Sequence, residues 1–180
     1  MAAMCQLRKS ERLNNHKLKK LLFNNGCSFK TYPFMVYWYV FSKNDFLYKN
    51  SPSTFAAAPL ENNKPGFKKI HYDISGNVLP QSAVFIFPAK AIFTVSKKNV
   101  KNASDRNHIK RLVKEAYRKN KSSFYSFLKE KGLLCLVAFN YIGTQPPKQE
   151  NIEKHLVVSL QNIIKEIKKK ITANPSIEDK

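Results

Sequence analysis

Acidic side chains are scarce in this chain: 12 Asp+Glu stand against 32 Lys+Arg in 180 residues, a formal net charge of +20. Self-repulsion on that scale opposes a compact state unless a polyanion neutralises it. Nucleic acid is therefore the leading partner class, ahead of an anionic membrane surface. Long hydrophobic runs are also missing. No segment approaches the length of a transmembrane helix, and the opening from Met1 to Lys9 has no apolar stretch of the kind that marks a secretion signal. No membrane association is expected. Cysteine is confined to Cys5, Cys27 and Cys135, an odd and scattered set that fits neither a disulfide framework nor zinc-ligand spacing. Three reduced thiols in a cytoplasmic protein is the simpler reading. No glycine-rich phosphate loop or dinucleotide turn is present, and His16, His71, His108 and His155 lie far apart without metalloenzyme spacing. Paired-carboxylate motifs are missing too. The chain reads as a binder, with no catalytic residue and no metal ligand to nominate.

A hydrophobic share of 43% supports a real core, and the length fits one domain, residues 1–180. Ser10-Glu11-Arg12-Leu13 opens a first helix with Ser10 as its N-cap. Leu18, Leu21 and Leu22 form the apolar face, and Asn24-Asn25-Gly26 ends the helix through a left-handed cap. Phe34 to Phe41 reads as a long aromatic strand with poor alternation. Either both its faces are covered, or one offers rings to a ligand. From 42 to 82 the pattern dissolves into Asn, Pro, Ser, Lys and Gly, which predicts a loop-rich insertion with a small turn at Tyr72 to Asn77. The core is expected at about 10–41 and 83–171, with 172–180 a frayed tail.

Strands are expected at Ala83–Phe87 and Ala91–Ser96, the second running into Lys97 and Lys98. A helix with Ser104 as N-cap follows, continuing through Phe124, Phe127 and Leu128 to Gly132. Leu133 to Phe139 is a continuous apolar run, hence a buried strand. After Pro146-Pro147, a last amphipathic helix carries Ile152, Leu156, Leu160, Ile163, Ile164, Ile167 and Ile171, with Lys168, Lys169 and Lys170 in its final turn. A strand–helix–strand unit around the basic helix predicts an α+β protein, a small mixed α/β sandwich.

The basic helix carries two messages. Ile109, Leu112, Val113, Ala116 and Tyr117 form an apolar stripe at helical period. Arg106, Asn107, Lys110, Lys114 and Arg118 span an arc of roughly 120° on another side. Between Lys97 and Lys121 stand ten cations against only Asp105 and Glu115. A helix built only for solubility would interleave acids with its bases. A nearly pure cationic edge suits a phosphate backbone, with binding that weakens steeply as salt rises. Thirteen Phe, eight Tyr and one Trp add a second signal, since single-stranded nucleic acid is commonly held by stacking on rings beside a basic groove. Most of these rings are core. Tyr37 and Tyr39 share one strand face and Trp38 points to the other.

Val95-Ser96-Lys97-Lys98, followed by Arg106-Asn107-His108-Ile109-Lys110-Arg111-Leu112-Val113-Lys114-Glu115-Ala116-Tyr117-Arg118, resembles the signature of the bacterial ribonuclease P protein subunit. That family carries a strand ending in S-K-K and then R-N-x-x-K-R-x-x-R-E at the start of the next helix. The resemblance extends over all but residues 42–82 and the tails. Departures are Lys114 in place of an Arg, His108 in place of a frequent Arg, and a link from Lys98 to Arg106 one residue longer than usual. Phe23 matches one aromatic of the family's leader-binding cleft, while the other aromatic position falls at Leu18 or Lys19.

The resemblance implies an α-β-β-β-α-β-α order with a left-handed strand–helix–strand crossover, the arrangement of ribosomal protein S5 domain 2. It implies a subunit of the ribonucleoprotein that removes the 5′ leader from precursor tRNA, in which the catalytic RNA subunit, with Mg²⁺, performs the chemistry. Lys97, Lys98, Arg106, Asn107, Lys110, Arg111, Lys114 and Arg118 would contact that RNA, and Phe23 and Tyr37 would line the cleft for the single-stranded leader. No cofactor is expected on the chain itself, no obligate protein partner is predicted, and the localisation expected is cytoplasmic. The alternative is a non-catalytic binder of structured RNA of the ribosomal type.

Overall fold

The computed structural model describes residues 7–42, 71–72, 78–79 and 85–173. A short 3₁₀ turn at Lys9–Glu11 leads to α1 (His16–Asn25), β1 (Cys27–Thr31) and β2 (Phe34–Ser42). The two-residue strands β3 (His71–Tyr72) and β4 (Val78–Leu79) pair with each other, apart from the main sheet. Then come β5 (Ala89–Val95), α2 (Ala103–Glu130), β6 (Leu133–Tyr141) and α3 (Gln149–Ala173). With the small β3–β4 pair set aside, the order is the expected α-β-β-β-α-β-α, and the fold is α+β.

The main sheet runs β1-β2-β6-β5, antiparallel except for the parallel β5–β6 pair. The helix α2 makes the connection between those two parallel strands, as a strand–helix–strand unit must. The apolar run that marked β6 is explained by its central place: Leu133 to Phe139 are all buried, between β2 and β5 and under helices on both faces. On one face Cys135, Val137 and Phe139 join Trp38, Ala91, Phe93 and the stripe of Ile109, Val113 and Tyr117 from α2, with Ile152, Leu156 and Ile163 from α3. On the other face Leu134, Leu136 and Ala138 pack with Leu13 and with Leu18 and Leu22 of α1. The two faces of the aromatic strand are covered unequally. Trp38 lies in the α2–α3 core, while Tyr37 and Tyr39 sit half-buried on the α1 side.

Several local expectations need correction. Ser10 does not cap α1; it lies in the 3₁₀ turn, and Asn15 is the N-cap, its Oδ1 accepting from the backbone N–H of Lys17 at 2.9 Å and Leu18 at 3.3 Å. Asn and Ser are comparable caps, and the choice is made by the segment before it, which is held against β5. Leu13 N–H donates to the Ala91 carbonyl at 2.9 Å, so this strap covers part of the exposed edge of the sheet. Ser104 is likewise inside α2, whose N-cap is Asn102; the Asn102 amide reaches Asp105 at 3.2 Å.

Gly26 is not left-handed either. Its φ is −77°, and its need for glycine is close approach: an added Cβ would press on the Leu22 carbonyl oxygen and stand 3.0 Å from the Trp38 carbonyl oxygen. The left-handed glycine is Gly132, at φ 62° after α2. Gly26→Ala is expected to cost about 1–3 kcal/mol through overpacking, read as a lower urea midpoint at unchanged m-value.

Two strand assignments also change. The short β1 was missed because Cys27-Ser28-Phe29-Lys30-Thr31 has little apolar content; it pairs with β2 across the Tyr32–Pro33 turn. Of the strand expected at Ala83–Phe87, residues 83–84 lie outside the described residues, and Phe85–Phe87 belong to no strand. Their rings serve as plugs instead. Phe85 meets Phe41 edge-on with centroids 5.3 Å apart, and Phe87 lies 6.5 Å from Tyr125. The turn expected at Tyr72 to Asn77 begins on β3, but residues 73–77 lie outside the described residues, as does most of the 42–82 segment.

Candidate nucleic-acid interface

The carboxyl end of β5 is built to present cations. The Ser96 carbonyl accepts from the N–H groups of Asn99 at 3.3 Å and Val100 at 3.1 Å, and Ser96 Oγ accepts from Lys98 N–H at 3.2 Å. Asn99 Nδ2 donates to the Ile142 carbonyl at 2.6 Å, which ties the turn to the end of β6. Lys97 and Lys98 are thereby held exposed on a turn fixed from both sides. Buried Val100 and Ile109 then seat the first turns of α2, and the helical period carries Asn107, Lys110, Arg111 and Lys114 outward or along the rim.

Arg106 has a different place from the one its charge suggested. Its guanidinium donates to the Val100 carbonyl at 3.1 Å and the Lys101 carbonyl at 2.5 Å. It therefore locks the turn after β5 to α2, joining the two halves of the sequence signature physically.

Arg118 is also engaged: Nε and Nη2 grip the two oxygens of Glu115 at 2.8 and 2.5 Å. That hydrogen bond, opposed by partial desolvation and aided by the charges of Arg118 and Lys119, holds the Glu115 carboxyl below its ordinary range. Glu115 is consequently ionised at neutral pH and cancels one charge of the edge. Lys119 faces Glu153 of α3 at 3.8 Å, and Asn120 donates to the same carboxylate at 3.0 Å.

Lys121, counted in the sequence among the cations available to a polyanion, is not on the surface. It is buried, 2.5 Å from Glu11, which is itself fully buried. Tyr125 donates to the same Glu11 oxygen at 2.9 Å, and Arg8 N–H donates to the other at 2.6 Å. Burial pushes the Tyr125 hydroxyl well above its usual range, so it stays a neutral donor. The α2 positions left to meet a ligand are thus chiefly Asn107, Lys110, Arg111 and Lys114, beside Lys97 and Lys98.

Phe23 and Tyr37, distant in sequence, come together on the opposite face of the sheet. Their ring centroids are 5.1 Å apart at 70°, and Phe23 is 48% exposed, an open ring standing on a half-buried one. Of the two candidates for the second aromatic position, Leu18 is core and Lys19 is half-buried on α1. The cationic edge of α2 and the Phe23–Tyr37 pair therefore form two surfaces, separated by the sheet. Burial pushes the Cys135 thiol far up, which leaves it unreactive in the core. Among the described residues no group of three His, Cys, Asp or Glu could hold a metal ion, and no helix is long and apolar enough to cross a membrane.

These features define a small, strongly basic α+β protein whose second helix exposes a cationic edge directly after a lysine-tipped parallel strand. The family model described as Ribonuclease P matches residues 7–163, and the chain belongs to that family. It is similar to the protein named Ribonuclease P protein component of Porphyromonas gingivalis, 35% identical over 72 residues that are 40% of this chain and 53% of the relative. The component so named in Chlorobium phaeobacteroides is 35% identical over 81 residues, 41% of this chain and 56% of the relative. The chain spans about half the length of these curated relatives in the matched segments. Among solved structures, the Staphylococcus aureus RNase P protein aligns with 86% of this chain and 95% of its own at 17% identity and a TM-score of 0.49.

Proposed function

We propose that this chain is the protein subunit of bacterial ribonuclease P, acting in the cytoplasm to assist removal of the 5′ leader from precursor tRNA. In this reading Asn107, Lys110, Arg111 and Lys114, with Lys97 and Lys98 beside them, contact the catalytic RNA. Arg106 positions the turn and lends its remaining donors, and Arg118 contributes through its Glu115-braced guanidinium. Phe23 and Tyr37 hold the single-stranded leader by stacking. The observation that carries the reading is the pairing of the serine–lysine–lysine turn with the arginine–asparagine start of α2 through the Arg106 hydrogen bonds. Mg²⁺ would be held by the RNA, whose chemistry it supports. The protein's part is to lower repulsion between two polyanions and to anchor the leader, which raises substrate affinity.

The test is cleavage of precursor tRNA at near-physiological Mg²⁺ by the cognate RNA, with and without the chain. Stimulation is expected. Binding of structured RNA without any stimulation would instead identify a ribosomal-type RNA-binding protein. Phe23→Ala is expected to weaken precursor binding by about tenfold, since one stacked base contributes roughly 1–3 kcal/mol, while mature tRNA without a leader binds as before. Equal losses for both substrates would remove Phe23 from the leader site.

A further inference from the structure

An exposed ring stands at the end of the sheet beside the lysine turn, apart from both surfaces described above. Tyr32, in the turn between β1 and β2, is 63% exposed. Among the large apolar side chains exposed in the described residues, Tyr32 and Phe23 are the rings. Phe23 lies on α1, whereas Tyr32 lies at the end where β5 delivers Lys97 and Lys98. That placement follows from register. Phe34 of β2, Tyr141 of β6 and Val95 of β5 form one row across three strands, all buried in the α2–α3 core. β2 starts where β5 and β6 end, so Tyr32, two residues before Phe34, and Lys97, two residues after Val95, leave the sheet at the same end. Two strand spacings set them about 10 Å apart along it.

The ring's neighbours are themselves fixed. Ile142 N–H donates to the Pro33 carbonyl at 2.8 Å, and the Ile142 carbonyl accepts from Asn99 of the lysine turn at 2.6 Å. One residue past β6 therefore ties the Tyr32 turn to the Lys97–Lys98 turn. Behind it the Tyr141 hydroxyl donates to the Gln145 carbonyl at 2.5 Å, and a Cβ on Gly143 would press on the Tyr141 ring. Burial, and after it the nearby Tyr32, holds that hydroxyl above its usual range, so it stays a neutral donor. Little conformational entropy is left to lose when a ligand meets a platform braced in this way.

Charge at this end has one sign. Segments 27–37, 94–104 and 140–149 meet here with Lys30, Lys97, Lys98, Lys101 and Lys148, all exposed, and contain no Asp or Glu. An acidic peptide would use the lysines without needing the ring. A nucleic acid with an unpaired base uses both, its phosphates on the cations and its base on the open ring.

We propose that Tyr32 is a base-stacking residue of the RNA surface: an unpaired base of the catalytic RNA lies on its ring while phosphates of the same strand meet Lys97 and Lys98. The identity of the RNA rests on the ribonuclease P reading; the stacking does not. A continuous duplex keeps its bases stacked on one another, so it offers phosphates to the lysines and nothing to Tyr32.

Filter binding over a salt series compares the full chain with Tyr32→Ala, Tyr32→Phe and the double variant Lys97→Gln with Lys98→Gln, on the cognate catalytic RNA and on a continuous RNA duplex. Tyr32→Ala is expected to bind the catalytic RNA about tenfold more weakly at an unchanged salt slope and the duplex as before. Tyr32→Phe keeps the ring and should bind as the native chain does. The lysine variant should lower the slope on both RNAs, by about 0.7–0.9 per lost phosphate contact. Thermal circular dichroism of Tyr32→Ala, expected unchanged for so exposed a ring, separates a lost contact from a lost fold. Equal losses on the two RNAs for Tyr32→Ala, or no loss on either, would overturn the proposal and leave the ribonuclease P reading untouched. If the selective loss is found while the full chain fails to stimulate precursor cleavage, the stacking contact stands and the ribonuclease P reading falls.

Discussion

Lys121→Met is expected to lower the thermal midpoint by about 10 °C. The side chain lies on the core side of α2, 5% exposed, and its partner Glu11 is fully buried. Removing the ammonium strands a buried carboxylate that keeps, among the described residues, the Tyr125 hydroxyl and the Arg8 N–H as donors. Breaking one partner of such a pair typically destabilises by about 3–5 kcal/mol, and a domain of this size loses about 2–4 °C per kcal/mol. The ion pair itself is no large source of stability, because both charges were taken out of water to make it. The double variant Glu11→Leu with Lys121→Met is accordingly expected to recover most of the loss. A double-mutant cycle followed by thermal circular dichroism measures the coupling. A single-variant loss under about 1 kcal/mol would show that water reaches Glu11 when Lys121 is gone.

The location of this pair gives it a second consequence. Glu11 belongs to the strap that carries Arg8, Lys9 and Arg12, whereas Lys121 belongs to the helix that carries the cationic edge. This buried charge contact thus holds two basic surfaces at fixed separation on a molecule of net charge +20. Mutual repulsion favours their spreading apart, most strongly at low salt. The destabilisation by Lys121→Met should therefore shrink when salt is raised or a polyanion is added.

Periodicity made α2, β6 and α3 legible because each buries a whole face or stripe, and burial writes itself into the sequence. Lys121 shows where that logic was available but unused: it falls four residues after Tyr117 and three before Phe124, on the core stripe. A cation there signals a buried partner, yet nothing local names Glu11, 110 residues away. β1 was not legible, since an edge strand with one covered face needs few apolar residues. Phe85 and Phe87 misled in the opposite sense, being apolar enough for a strand but used as plugs over Phe41 and Tyr125. For the candidate site, the signature from Val95 to Arg118 marks one stretch running from the β5 turn into α2, and composition alone could not reveal that Arg106 donates to the turn carbonyls or that Arg118 is braced by Glu115. Those divisions of labour depend on where carbonyls and carboxylates end up in space.

The cationic edge makes the largest prediction about binding. Replacing Lys110, Arg111 and Lys114 together by Gln removes three charges from the part of α2 that has no carboxylate partner among the described residues, while keeping polar stems at its rim. If each meets one phosphate of duplex RNA, the slope of log affinity against log salt should fall by about 2.7, at roughly 0.9 per phosphate. Between 50 and 200 mM salt, the native chain should then lose about 40-fold more affinity than the variant. Stability should hardly change, because surface substitutions of this kind usually stay within about 0.5 kcal/mol each. The control removes the same number of charges at exposed Lys129, Lys154 and Lys165. A contact surface predicts a steep change for the first set and little for the second, measured by filter binding to the cognate RNA. Equal changes for both sets would mean that net charge alone drives association, and the arrangement of Lys110, Arg111 and Lys114 beside the Lys97–Lys98 turn would lose its meaning. Lys114→Arg tests the same surface in the other direction: a planar fork at that position should tighten RNA binding without steepening its salt dependence, since the charge is unchanged and only the geometry of the grip improves.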